Sequence, residues 1–272
     1  MFNKKELKFI LSHSILIMFS LIIMLPLLWL LRVALTNKVT AYKLPPELGE
    51  LNFLNFIDIF VKHPFLSYFA NSIFIASAST FLALPLAAAM AYAFTRYNTG
   101  GTAMRLIVLS TQLLPPVILV LPLFSLYLKL SLLNNHFGLI ISHITISLPF
   151  LAWILVSFFE GNLIYLEQAA RVEGASRFQA FLYIAIPVSA PGLIAAGVLA
   201  FILSWNEFIL ALILSGPQTN TIPVGLSSFQ THRGVDIAPL AAATICAITP
   251  VFILLPFMKK YLISGLSLGA LK

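Results

Sequence analysis

Long apolar runs, separated by short polar interruptions, set the pattern of this chain. Read at helical length they predict six spans, at about 10–31, 68–94, 106–128, 137–159, 190–214 and 238–258. Each reaches the ~20 residues a helix needs to cross hydrocarbon. None keeps the continuous polar face of a soluble amphipathic helix. Prolines fall inside them: Pro26, Pro85, Pro115-Pro116, Pro122 and Pro149. The Pro115-Pro116 pair should break the backbone ladder of the third span. Such a break is tolerated where the freed carbonyls line a cavity or meet a neighbouring helix. The segment 32–67 is the longest connection. Pro45-Pro46 interrupts it, and residues 51–60 predict a short interfacial helix. A second long connection, 215–237, is polar and irregular, with Gly216-Pro217 and Gly225 as turn signals. No internal repeat is visible. The pattern is that of an all-α integral membrane protein with six transmembrane helices.

Composition supports this. The 272 residues are 60% hydrophobic and 9% charged, with a mean hydropathy of +0.99. A soluble domain carries roughly 25% charged residues. The net charge of +7 would suit nucleic acid, but Lys and Arg gather in short connections and termini, as membrane insertion requires. No basic stripe with interleaved aromatics accompanies them, so nucleic acid is not an expected partner and membrane lipid is. With the N-terminus inside, the cytoplasmic segments hold Lys4, Lys5, Lys8, Arg96, Arg105, Arg171, Arg177, Lys259, Lys260 and Lys272. The outer segments hold Arg32, Lys38, Lys43, Lys62, Lys129 and Arg233. That bias puts both termini in the cytoplasm. Lys4, Lys5 and Lys8 form a basic start, but the apolar run after them is too long for a cleavable signal, so it reads as a retained first span. The single cysteine, Cys246, excludes an internal disulfide, and no Cys/His spacing suggests a metal.

One polar interruption has a shape of its own. It runs from Glu167 to Gln179 and on to Pro187, on the side the charges make cytoplasmic. Ala169, Ala170 and Val172 give a short helix an apolar patch. Glu167 and Arg171, four apart, have the favourable order for a helical ion pair. Gly174 should end that helix in the left-handed conformation. Ser176 and Gln179 have capping-box spacing, so a second short helix should begin there. Phe178, Phe181, Leu182 and Ile184 can anchor it, and Pro187 should close it.

This stretch resembles the "EAA" loop of binding-protein-dependent ABC importer permeases. The family pattern is roughly E-A-A-x-x-D-G-A, followed by an aromatic and I-x-x-P. Gln168-Ala169-Ala170-Arg171-Val172-Glu173-Gly174-Ala175 stands in that register, with Phe181 and Ile184-Ala185-Ile186-Pro187 behind it. Ser204-Trp205-Asn206-Glu207-Phe208 is similar to the W-N-[DE]-F segment of sugar-type permeases. Gly265-Leu266-Ser267-Leu268-Gly269-Ala270-Leu271-Lys272 is similar to their tail, lacking its final glycine. The resemblance implies a type-1 importer permease fold, as the second permease subunit of a carbohydrate importer in a bacterial or archaeal inner membrane. It divides the chain into an N-terminal span with its outer loop (1–67), a permease core (68–259) containing a coupling loop (160–188), and a cytoplasmic tail (260–272). It implies a second permease, two ATP-binding cassette subunits and an extracytoplasmic solute-binding protein as partners. Glu167, Gln168, Ala169, Ala170, Arg171, Glu173, Gly174 and Ala175 would face the ATPase, and Gly269, Ala270 and Lys272 would touch it from the tail. Two departures matter. Gln168 replaces the family glutamate and Glu173 its aspartate, so an ion pair to the ATPase would either fall to Glu167 or be absent.

Within the spans, Glu207 is the only acidic residue. At mid-bilayer a charge costs roughly 3 kcal/mol on insertion scales, so it should face the bundle interior. It is either a pathway residue, with Trp205, Asn206 and Gln112, or a packing hydrogen bond between helices. Asn71 and His143 are weaker cases of the same kind. The outer connections either dock a partner or simply connect. The chain lacks a G-x-x-x-x-G-K-[ST] phosphate loop, so it is expected to bind no cofactor, with ATP and Mg²⁺ used by the partner ATPases. A glycerol-3-phosphate or polyol permease is the nearest alternative. A self-sufficient secondary transporter would favour repeats and midplane charges, and an intramembrane enzyme would need clustered catalytic groups.

Overall fold

A computed structural model describes residues 4–43, 51–160, 163–231 and 234–269. Its helices, in chain order, begin with α1 (Lys4–Ala34), α2 (Lys38–Ala41), α3 (Leu54–Val61), α4 (Phe65–Arg96) and α5 (Gly101–Ser110). Next come α6 (Pro116–Lys129), α7 (His136–Phe159), α8 (Leu163–Val172), α9 (Arg177–Ala180) and α10 (Ile186–Val188). The last are α11 (Ala190–Trp205), α12 (Ile209–Leu214), α13 (Ile222–Ser227) and α14 (Ile237–Gly269). Among the described residues the only strands are β1 (Gln230–Thr231) and β2 (Gly234–Val235), an antiparallel ribbon that the apolar pattern does not predict.

The chain forms two compact units. The first comprises Met1–Phe65 and Leu226–Ile248. Its apolar helix α1 buries none of its most hydrophobic stretch inside the chain, so that surface is left for lipid or another protein. The buried Asn55 on α3 ties off the end of α1. Its amide donates to Ala34 O at 2.8 Å and Thr36 O at 2.7 Å, satisfying carbonyls that the helix end would otherwise leave open. Lys38 pairs with Asp236 at 2.6 Å, and the Tyr42 hydroxyl donates to Val235 O. The short helix expected in 51–60 is therefore present, as α3.

The second unit comprises Leu66–Gly225 and Thr249–Lys272. Its core is built on small side chains. Ala83, Ala87, Ala88 and Ala91 of α4 and Ala196 and Ala200 of α11 are buried in one cluster with Leu151, Leu155 and Phe159 of α7. Membrane helices have no hydrophobic drive toward one another, and small residues let their backbones pack closely. A second cluster joins Ile75, Val120, Leu139, Leu210 and Leu214.

Four helices are individually long and apolar enough to cross a membrane: Lys8–Ala34, Phe65–Arg96, His136–Phe159 and Ile237–Phe257. Two bent pairs raise the number to six. The third span breaks where expected. Pro115 holds Leu114 extended (ψ 122°), Pro116 starts α6, and the two halves meet at 90°. The fifth differs from expectation. A continuous helix over 190–214 is predicted, but α11 stops at Trp205 and α12 restarts at Ile209. The stop coincides with the polar pair Asn206-Glu207, whose side chains bond to helix-end backbone groups. A further 75° bend separates α9–α10 from α11, at Ser189 and not at Pro187. A π-helical stretch, Phe181–Ala185, precedes Pro187 and accommodates a ring that would clash with a regular preceding turn.

Gly138 on α7 tests this packing. A Cβ there would lie 2.5 Å from the Leu132 carbonyl oxygen and 3.3 Å from the Tyr127 ring. The first is backbone and cannot rotate away. Gly138→Val should cost about 1–3 kcal/mol, read as a lower thermal midpoint in detergent. Unchanged melting would show that the α6–α7 connection is looser than drawn.

Candidate functional site

The element between α7 and α11 is capped at both of its internal ends. Gly174 adopts φ 98°, a left-handed value open to glycine. Around it the Ala175 amide donates to Ala170 O at 3.0 Å and the Gly174 amide to Arg171 O at 3.1 Å. This pair of bonds is a Schellman cap, which closes α8 and reverses the chain. Two residues later the capping box forms as predicted. Gln179 N donates to Ser176 Oγ at 3.2 Å, and Ser176 N donates to Gln179 Oε1 at 2.8 Å.

α8 buries little of itself. Of its ten residues only Leu163 and Glu167 are buried, on one stripe of the helix. Gln168, Ala169, Arg171, Glu173 and Gly174 are exposed, and Ala170 and Ala175 are half-buried. Val172 is 89% exposed, Tyr165 71% and Phe178 69%. Phe178 and Leu182 are thus corrected: both are exposed, while Phe181 and Ile184 are the half-buried anchors.

Glu167 is the larger correction. The expected pair with Arg171 is absent from the described contacts, and the carboxylate faces inward. Arg96, the last residue of α4, holds it through Nε at 3.1 and 3.0 Å and Nη2 at 2.7 Å. The Tyr92 hydroxyl donates to the same carboxylate at 2.8 Å. Arg96 Nη2 also donates to Phe159 O at 2.7 Å, at the end of α7. The side chains of Arg96 and Glu167 are 10% and 6% exposed. The physical reason is the helical spacing of Leu163 and Glu167, which puts both against the bundle. A planar guanidinium in a poorly hydrated site then outcompetes a flexible, hydrated Arg171. Removing one partner of a buried pair typically costs ~3–5 kcal/mol, against ~1.5–3 kcal/mol for burying one leucine. Arg96 reads from sequence only as a topology-setting charge. The signal that points further is Tyr92 four residues before it, on the same face of α4.

The polar residues of the spans form a second group. Glu207 is 9% exposed and accepts from Leu210 N and Ala211 N, both at 2.9 Å. It caps α12, whose first amides would otherwise be unpaired inside the bundle. His143 Nε2 lies 3.7 Å from its carboxylate, and His143 Nδ1 meets Ser204 Oγ at 2.6 Å. Ser204 in turn bonds Ser79 Oγ at 3.0 Å, so one buried cluster joins α4, α7 and α11. Ser79 carries no signal in the sequence, and Ser204 only as a neighbour of the Trp205–Phe208 segment. Of the residues grouped with Glu207 as a pathway, Trp205 is buried edge-on against Phe69 at 5.6 Å. Asn206 is exposed and donates to Ile202 O at 2.9 Å. Gln112 is half-buried and donates to Ile146 O at 2.8 Å. No described bond brings these three to Glu207. Asn71 tethers the 215–221 connection, donating to Gln218 O and Asn220 O at 3.0 Å. In the tail, Gly269 ends α14, while Ala270 and Lys272 lie outside the described residues.

With this geometry in place the comparisons decide the family. Residues 83–267 match the family described as binding-protein-dependent transport system inner membrane component. The chain belongs to this family. The sulfoquinovosyl glycerol transport system permease protein of Agrobacterium fabrum is 34% identical over 280 residues, covering 100% of this chain and 95% of that protein. The trehalose/maltose transport system permease protein of Thermococcus litoralis is 31% identical over 262 residues, 94% of each. The trehalose transport system permease protein of Mycobacterium tuberculosis is 34% identical over 257 residues, 92% of each. The crystal structure of a bacterial ABC transporter that imports the acidic polysaccharide alginate has the same fold, with a TM-score of 0.77. The match covers 96% of this chain and 99% of that one at 21% identity. The three relatives named are permease proteins of transport systems, and the helical permease fold expected from sequence is the one observed, with the short β1–β2 ribbon added to it.

Glu207 gives this site its test. Glu207→Gln retains a side-chain acceptor for the α12 amides, whereas Glu207→Leu leaves both unpaired at ~1–3 kcal/mol each. The leucine variant should therefore melt well below the glutamine variant in detergent. Equal melting of the two would remove the capping role.

Proposed function

We propose that this chain is one of two permease subunits of an ATP-driven importer for a sugar or oligosaccharide. The observation that carries the reading is the double-capped element of α8 and α9. It holds Gln168, Ala169, Val172 and Phe178 out in water while Glu167 anchors it inward. Exposing such apolar side chains has a cost that a partner surface removes. In this reading α8 is the coupling helix and seats in an ATP-binding cassette subunit on the cytoplasmic side, where both termini lie. Two such subunits bind ATP and Mg²⁺, and this chain contributes no nucleotide site. Gln168 meets the ATPase through neutral hydrogen bonds, and the exposed Glu173 is the carboxylate left to make a charged contact. Gly269, Ala270 and Lys272 reach the ATPase from the tail. An extracytoplasmic binding protein delivers substrate between this chain and a related permease. The sugar class follows from relatives whose systems carry trehalose, maltose and sulfoquinovosyl glycerol.

Reconstitution with the partner subunits tests this. Uptake of labelled disaccharide into proteoliposomes should require ATP on the α8 side and binding protein on the other. Flux by the isolated chain without ATP would instead identify a self-sufficient carrier. Gly174→Leu should insert normally yet abolish uptake, because a side chain at φ 98° is strained and misaligns the two short helices. Full transport by Gly174→Leu would falsify the coupling assignment.

A further inference from the structure

Two helix ends and the buried face of a third helix meet at one guanidinium. Arg96 terminates α4, its Nη2 holds the Phe159 carbonyl at the end of α7, and its fork grips Glu167 on α8. Besides Glu167, α8 buries only Leu163, which packs in the apolar cluster with Phe159. Apolar packing is non-directional and lets surfaces slide. A planar fork on a carboxylate fixes both distance and orientation. The Tyr92 hydroxyl at 2.8 Å fixes the second carboxylate oxygen, and Arg96 lies 5.5 Å over the Tyr92 ring.

The other ends of this arrangement lie deep in the bundle. Seventeen residues before Arg96, about 26 Å along an ideal helix, α4 carries Ser79. Sixteen residues before Phe159, about 24 Å, α7 carries His143. Both meet Ser204 of α11, just before the break that Glu207 caps. Two long helices thus run from the ion pair to the broken span.

We propose that Arg96 is a positioning residue for transport. Through Glu167 it makes α8 move as one piece with the ends of α4 and α7, so that ATPase motion reaches the broken α11–α12 span. This rests on the reading of α8 as the ATPase-docking element. It assigns Glu167 to transmission inside the permease and not to the ATPase surface.

The test separates a mechanical link from a merely structural one. Single changes leave a buried charge unpaired and destabilise the fold. The double variant Arg96→Met/Glu167→Met removes both charges and keeps apolar volume, which is often neutral for stability. In the reconstituted complex it should still hold the ATPase subunits, because neither side chain is on the exposed face. Sugar transported per ATP hydrolysed should fall by about tenfold, within the ~5–150-fold range of allosteric couplings. Arg96→Lys, with its charge but no fork, should fall between the two. Wild-type coupling in the double variant overturns the proposal. If the double variant does not assemble, spin labels at Thr99 and Tyr165 in a Cys246→Ala background decide the matter with the ion pair intact. The distance between them should be the same in every nucleotide state, and a nucleotide-dependent change overturns the proposal. If the wild-type chain binds no ATPase at all, the functional reading falls and the link falls with it.

Discussion

Hydrocarbon offers no water to an unpaired backbone amide or carbonyl, and each one left open there costs several kcal/mol. The second unit depends on meeting that demand while interrupting two of its spans partway. At Leu114–Pro115 the chain meets it partly by subtraction. Two consecutive prolines bring no N–H groups, so the start of α6 has fewer donors to satisfy. Gln112, beside the break, spends its own amide on the Ile146 carbonyl of α7. At Asn206–Phe208 the demand is met by addition, because the carboxylate of Glu207 accepts from the Leu210 and Ala211 amides. An acidic side chain that looks costly in a membrane span is therefore the group that makes the break possible. Its carboxyl oxygens sit at the positive end of α12.

Outside the spans the constraint reverses. α8 and α9 can reach water, so satisfaction is easy and shape becomes the scarce property. The chain obtains it from two local devices, a Schellman cap on Gly174 and a capping box on Ser176 and Gln179. Both are independent of the bundle, so they set the angle between α8 and α9 without packing. What they cannot set is where the pair sits on the permease. That depends on Arg96, Tyr92 and Glu167, one buried charge pair placed where the ends of α4 and α7 meet the buried face of α8. Local devices fix form, and long-range contacts, the directional ion pair among them, fix placement.

The sequence exposed these two kinds of information unequally. Spans, the Pro115-Pro116 break, the Gly174 cap and the capping box were legible because each is written within a few consecutive residues. The α11–α12 break was not, although Asn206-Glu207 stood in view, because an apolar run continues on both sides. The inward turn of Glu167 is hidden in the sequence for a physical reason. A Glu and an Arg four apart on a polar helix satisfy the local rule, and only the tertiary position of Arg96, 71 residues earlier, shows that a better partner exists. The Ser79–Ser204–His143 cluster was invisible because serine in an apolar helix ordinarily bonds its own preceding turn.

The orientation of Glu167 also changes how the two departures from the family motif are to be weighed. If Glu167 faced outward, it would compensate for the charge missing at Gln168, and the motif would merely be shifted by one residue. Buried against Arg96, it has no such freedom, since its carboxylate is committed on both oxygens. Of the two positions only 168 is exposed, and glutamine there keeps hydrogen-bonding capacity without charge. An exposed ion pair contributes only ~0–1 kcal/mol, so losing the charge at 168 removes little from an exposed face that also presents Ala169, Val172 and Phe178. Position 167 is different in kind, because a buried charge must be matched from within the same chain. Variation is thus physically cheap at 168 and expensive at 167, although the two residues are adjacent and both belong to one short helix.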